Sequence, residues 1–119
     1  MARRDITGAV DFAYLETYAA GNLDLVDEVL GLFREQAALW ARMLDGDAWA
    51  DGVHTLKGAG RGVGAFALAE ACEAAEAKGL DQGALKLRLD AVRDQLDRAL
   101  ADIAAYAHER ALQGLRSAG

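Results

Sequence analysis

Apolar residues recur at steps of three and four along most of the chain, which is the spacing of amphipathic α-helices. The longest run predicts a helix of about six turns that starts at Asn22 or Asp24. Its main apolar stripe consists of Leu23, Val26, Leu30, Phe33, Ala37, Trp40 and Leu44. Further apolar positions widen that stripe: Leu25, Val29, Leu32, Leu39 and Met43. We therefore expect this helix to be buried over much of its surface.

One further helix is predicted before this long helix and one after it. A short helix is capped by Asp11 and stops at Gly21, with Phe12 and Leu15 on its apolar side. After the long helix, the sequence breaks at residues 45–47, where Asp47 is expected to cap the next helix.

The remainder of the chain predicts two more helices. One runs from Ala65 to Lys78 and ends at Gly79, and the last runs from about Leu85 to about Leu112. We expect residues 1–10 to be a loose leader, because they show no periodicity, and residues 113–119 to be a frayed tail. A short helix followed by four longer ones with short connections predicts an all-α fold. The expected architecture is an up-and-down antiparallel four-helix bundle with a short extra N-terminal helix, in a single domain over residues 1–119.

Composition agrees with this fold class. The chain has 27 Ala and 17 Leu, only 11 Val, Ile and Thr together, and no Pro, so helix formers far outnumber strand formers. A net charge of −6 disfavours binding to nucleic acid or to anionic membrane surfaces. Cys72 is the only cysteine, and no run of about 18 apolar residues occurs. We therefore expect a cytoplasmic protein.

The segment from Val53 to Ala65 carries the candidate chemistry. On a helix, Trp49, Val53, Leu56, Gly60 and Val63 fall within one arc, and four other residues fall on the opposite arc: His54, Lys57, Gly58 and Arg61. A histidine is thus offered to solvent with a cation one turn away and a residue without a side chain beside it. These residues predict an accessible nucleophile with room for a large partner.

This segment resembles the histidine-containing phosphotransfer (HPt) family of phosphorelays. The resemblance rests on an extended pattern rather than on a bare H-x-x-K-G: residues 54–58, residues 63–65, and then Leu68, Cys72 and Glu76 at steps of four. It covers the chain from about Asp11 to Ala107. After Gly58, where many relatives have Ser, Ala or Asn, this chain has Ala59, Gly60, Arg61 and Gly62.

The resemblance implies a role for each matching residue. His54 would accept a phosphoryl group on Nε2 from a receiver-domain aspartyl phosphate and pass it to another receiver, Lys57 would steady the phosphate charge, and Gly58 would keep the imidazole accessible. Glu76, within reach of the other imidazole nitrogen or of the lysine, would support the site together with Gly64. Arg61 belongs to the departure from the family pattern: on the exposed face one turn beyond Gly58, it is expected either to contact the phosphate or an acidic rim of the receiver, or to be an ordinary solvated arginine. The implied partners are response-regulator receiver domains and the receiver of a hybrid histidine kinase, and no cofactor of the chain's own is implied, since the Mg²⁺ belongs to the receiver. Because the sequence shows no dimerisation or ATP-binding segment, we expect a free-standing monomer.

Other functions fit parts of the sequence less well. A phosphate-independent helical adaptor that binds receiver or kinase domains through the same face remains the alternative, as does an HPt module of chemotaxis-kinase type. Residues 60–65 match the dinucleotide fingerprint G-x-G-x-x-A. That motif needs a preceding strand, whereas the preceding residues have helical spacing, so dinucleotide binding is not expected. With two histidines, His54 and His108, the chain cannot complete a di-iron ligand set, and no metal site is expected. No phosphate loop is present either, so autonomous kinase or phosphatase activity is not expected.

Overall fold

A computed structural model describes residues 6–118, and its regular structure over that range consists of five α-helices. Their bounds are α1 (Phe12–Tyr18), α2 (Leu23–Met43), α3 (Trp49–Val63), α4 (Phe66–Ala75) and α5 (Gln82–Ala118). Each of the four longer helices packs on its neighbour in sequence, and α5 closes the ring against α2. The predicted all-α bundle with a short N-terminal helix is confirmed.

The first two helices begin at the capping residues that the sequence predicts. The Asp11 side chain accepts a hydrogen bond from the Tyr14 backbone N–H, and the Asn22 side chain accepts one from that of Leu25. The prediction that Asp47 caps α3 is wrong. A turn in which the Trp49 N–H donates to the Gly46 carbonyl leads into the helix, and its N-terminal boundary residue, Ala48, provides no side-chain cap.

The end of α3 is fixed to α1 through Gly64. This residue has the left-handed φ of +85°, and a Cβ there would lie 2.8 Å from the Asp11 carbonyl oxygen. The Asp11 N–H donates to the Gly64 carbonyl at 2.9 Å. Because only glycine tolerates both this backbone conformation and this contact, Gly64 sets how closely α1 approaches the helix that carries His54.

The last two helices differ in length from the prediction. The fourth helix ends at Ala75 rather than Lys78, with Glu76 at its C-terminal boundary, and Gly79 lies in the connection with φ of +78°. The fifth continues to Ala118, six residues beyond the expected end at Leu112, as one helix of 37 residues. No helix within residues 6–118 is long and apolar enough to cross a membrane.

The described part of the expected leader is not loose. Asp102 on α5 is fully buried, and its two carboxylate oxygens accept the backbone N–H groups of Thr7, Gly8 and Val10 and the Thr7 hydroxyl, at 2.8–3.2 Å. Val10 is buried in consequence, and it joins the core. The correction concerns residues 6–10, whereas residues 1–5 lie outside the described range.

The second helix is less buried than its sequence suggests. Val26, Leu30, Phe33 and Ala37 lie in the core, but Leu25, Leu32 and Leu39 are 43%, 60% and 47% exposed. The helices α3 and α5 pack against α2, and α1 makes a smaller contact with it. The widened apolar stripe therefore leaves leucines at seven-residue spacing on the surface.

Candidate functional site

His54 projects from the middle of α3 into solvent. Its side chain is 77% exposed, while Val53, Leu56 and Gly60 of the same helix are buried against the rest of the bundle. The two faces predicted for this helix are thus present in the structure. Because this helix is packed against the bundle, the backbone of His54 is held in place, while its ring is accessible to a partner from solvent.

Glu76 brings the histidine and the lysine together. Its Oε1 accepts a hydrogen bond from Lys57 Nζ at 2.5 Å, and its Oε2 lies 3.4 Å from His54 Nδ1. Lys57 and Glu76 are much less exposed than His54, with 20% and 28% of their side-chain surface accessible. The early end of α4 places this carboxylate at the helix boundary, beside α3.

The electrostatics of this cluster keep Glu76 ionised. The hydrogen bond from Lys57 is the largest cause of a lowered Glu76 pKa, and His54 lowers that pKa further. An anionic oxygen near Nδ1 favours the tautomer with its proton on that nitrogen, even at 3.4 Å, which is longer than an ordinary N–H···O bond. Nε2 then keeps its lone pair and can act as a nucleophile.

The structure places the three remaining predicted site residues at different parts of α3. Gly58 lies on the exposed face with no atom within 4 Å of a would-be Cβ, so the approach to His54 is unobstructed there. Arg61 is exposed, and its Nη2 lies 3.5 Å from Glu73 Oε1 on α4. Gly64 is at the far end of α3, where it joins α1. The structure therefore brings together His54, Lys57 and Glu76, with Gly58 beside them.

Comparison with known proteins agrees with this geometry. The Hpt domain family matches residues 14–106, which include the whole cluster. The chain belongs to the Hpt domain family. The crystal structure of the histidine phosphotransferase ShpA from Caulobacter crescentus is 62% identical, with a TM-score of 0.78, and the alignment covers 91% of this chain and 99% of that one. No match was found among the curated proteins. The protein is thus a phosphocarrier domain of the phosphorelay type.

A groove between α2 and α3 is a part of this Hpt surface that the sequence did not locate. Its volume is about 300 Å³, and none of its lining residues is charged. The lining consists of Val29, Leu32, Phe33, Gln36, Trp40, Ala59, Gly62 and Val63. The signal in the sequence is the surplus of apolar positions on α2, which is wider than one buried face of a helix needs.

Cys72 is buried in the core of this Hpt domain. Burial raises the pKa of the Cys72 thiol to about 12, so it is not a thiolate at neutral pH. Among residues 6–118, no three His, Cys, Asp or Glu side chains come together in a way that could hold a metal ion.

Proposed function

We propose that this protein is a phosphorelay intermediary that accepts a phosphoryl group on His54 from the aspartyl phosphate of one receiver domain and passes it to another. The observation that carries the proposal is the position of Glu76. Its carboxylate holds Lys57 and approaches His54 Nδ1, which leaves Nε2 as the exposed nucleophile.

In the forward step, the Nε2 lone pair of His54 attacks phosphorus, the bond between phosphorus and the aspartyl oxygen breaks, and the aspartate leaves as a carboxylate. The proton stays on Nδ1, where the Glu76 anion offsets the positive charge that develops on the ring. The Lys57 ammonium lies on the same face and offsets charge on the transferred phosphoryl group. The Mg²⁺ required for the step is expected to be held by the receiver.

The receiver is expected to dock over the exposed face of α3. Gly58 leaves space next to the imidazole, and the exposed Leu32 of α2, which lines a groove together with Gly62 of α3, provides apolar surface on the neighbouring helix. Large exposed apolar patches on a small domain mark interaction surfaces. A receiver that covers this face would exclude water from His54 Nε2 during transfer, which strengthens the interactions of both Lys57 and Glu76 with the charges that develop.

The test uses the two histidines as a matched pair. A receiver domain charged with acetyl phosphate and Mg²⁺ is mixed with wild type, with His54→Gln and with His108→Gln, and each product is weighed intact before and after acid treatment. We expect one acid-labile phosphate on wild type and on His108→Gln, and none on His54→Gln. Binding of a receiver without labelling of any protein would instead support the phosphate-independent adaptor.

A further inference from the structure

The helix that carries His54 contains four glycines, and internal packing explains two of them. A Cβ at Gly52 would lie 2.9 Å from Met43 Cβ, and one at Gly60 would lie 3.3 Å from the Ala65 carbonyl oxygen. At Gly58 and Gly62, by contrast, a Cβ would meet no atom within 4 Å. Glycine is a poor helix former, so these two positions carry a penalty that no contact within the molecule offsets.

Gly62 differs from Gly58 in what it adjoins. It lines the groove between α2 and α3, whereas Gly58 lies one turn nearer to the start of the helix, next to His54. The three residues His54, Gly58 and Gly62 are spaced by four, so they follow one face of α3 that turns gradually toward the groove. The open surface thus leads from the histidine into an apolar depression about 12 Å away along the helix axis.

The groove itself is suited to an apolar side chain. The Phe33 and Trp40 rings meet edge to face at 5.4 Å in its lining, and Leu32 on its rim is 60% exposed. Gln36 is the single polar side chain among the lining residues. A charged group placed there would lose water without gaining a partner, which disfavours a charged occupant.

We infer that Gly62 is a specificity-determining residue for the receiver: its missing side chain admits an apolar side chain of the docked receiver into the groove between α2 and α3. The inference rests on the proposed function, because the occupant is the same domain that faces His54. Beyond the proposed function, the inference identifies the part of the surface that selects the receiver. Receivers that present a branched aliphatic or aromatic side chain at this position bind, and receivers that present a charged one do not.

The test compares two exposed helical glycines. Gly62→Gln fills the mouth of the groove, whereas Gly114→Gln changes a glycine on α5 that likewise has no neighbour within 4 Å. The substrate is the phosphorylated receiver that labels the wild-type protein. We expect Gly62→Gln to raise the KM for this receiver by about tenfold or more, and Gly114→Gln to leave it unchanged. Because the contact is apolar, the ratio of mutant to wild-type KM should be the same at low and high salt.

Two further measurements separate docking from chemistry and folding. Phosphorylation of His54 by phosphoramidate, a small donor that needs no docking surface, should proceed at the wild-type rate in Gly62→Gln. Its melting temperature should not fall, since glutamine is the better helix former. An unchanged receiver KM in Gly62→Gln, or an equal loss with phosphoramidate, would overturn the inference while the proposed function stands. Failure of every receiver to label wild type would overturn both.

Discussion

Replacing Asp102 by asparagine tests whether the N-terminal segment is held by a buried carboxylate. The substitution keeps the shape of the side chain but turns one acceptor oxygen into an NH₂ donor. Each carboxylate oxygen accepts two hydrogen bonds: Oδ1 from the N–H and hydroxyl of Thr7, and Oδ2 from the N–H groups of Gly8 and Val10. The amide can present its oxygen to Gly8 and Val10 and its NH₂ to the Thr7 hydroxyl, which can turn to accept, but the Thr7 N–H then loses its acceptor.

The size of the effect follows from the bonds that are lost or weakened. Hydrogen bonds to a charged group contribute about 1.5–3 kcal/mol each and neutral ones about 0.5–1.5 kcal/mol, so one lost bond and two weakened ones set an upper limit of about 3–6 kcal/mol. The segment can also detach and let water reach these groups, at the expense of exposing Val10, which is worth about 1.5–3 kcal/mol. Because the cheaper route limits the loss, we expect Asp102→Asn to lower the free energy of unfolding by about 1.5–3 kcal/mol.

Urea unfolding followed by circular dichroism measures this change, and hydrogen exchange locates it. Thr7→Val is the matched control, since it removes only the hydroxyl, which donates to Asp102 and accepts from the Ala9 N–H at 3.4 Å, and it should cost about 0.5–1.5 kcal/mol. Faster exchange in Asp102→Asn should be concentrated in residues 7–18, which the carboxylate and α1 hold. A loss within about 0.5 kcal/mol of wild type would refute the view that Asp102 anchors the segment.

Three other predictions concern α3 and its neighbours. Gly64→Ala should lower the free energy of unfolding by about 1–3 kcal/mol, because alanine is strained at this positive φ. The loss should exceed that of Gly79→Ala, which has a similar φ but no contact with the α1 backbone. Equal losses on thermal unfolding would contradict the close approach of α1. Because the Glu76 pKa is lowered on folding, its ionised form stabilises the fold above the ordinary pKa of 4.5, and this contribution is lost as the pH falls through the folded value. The stability difference between wild type and Glu76→Gln should therefore shrink on acidification, and a difference independent of pH would contradict the ion pair. Lys57→Ala should slow transfer from the receiver or shorten the phosphohistidine lifetime, and unchanged kinetics would remove Lys57 from the mechanism.

The sequence predicted the helices and the histidine face because both depend on local chemistry. Helical spacing places His54 away from Val53 and Leu56 whatever the partner helices are, and side-chain caps such as Asp11 and Asn22 act on the next few residues. The end of α4 was harder to place. Lys78 and Gly79 offer a plausible stop, yet the helix ends at Ala75, where Glu76 is held by Lys57 of another helix.

The missed features depend on contacts between distant parts of the chain. Asp102 lies between Ala99 and Tyr106 on the core side of α5, and a charge at a core position was the one signal that it has a special partner. Nothing local identifies that partner as residues 7–10, more than 90 positions away. In the same way, the pattern of α2 shows which residues are apolar but not which of them α3 leaves uncovered, and this decides where the groove lies.

Transfer between two receivers measures the central claim most directly. One receiver is charged with radiolabelled phosphate and separated from its donor, and a second receiver is then added with or without this protein. We predict that label reaches the second receiver only when wild-type protein is present, with a transient acid-labile label on the protein itself, and that His54→Gln does not substitute for it. Equal transfer with His54→Gln, or label that never leaves the protein, would contradict a relay through His54.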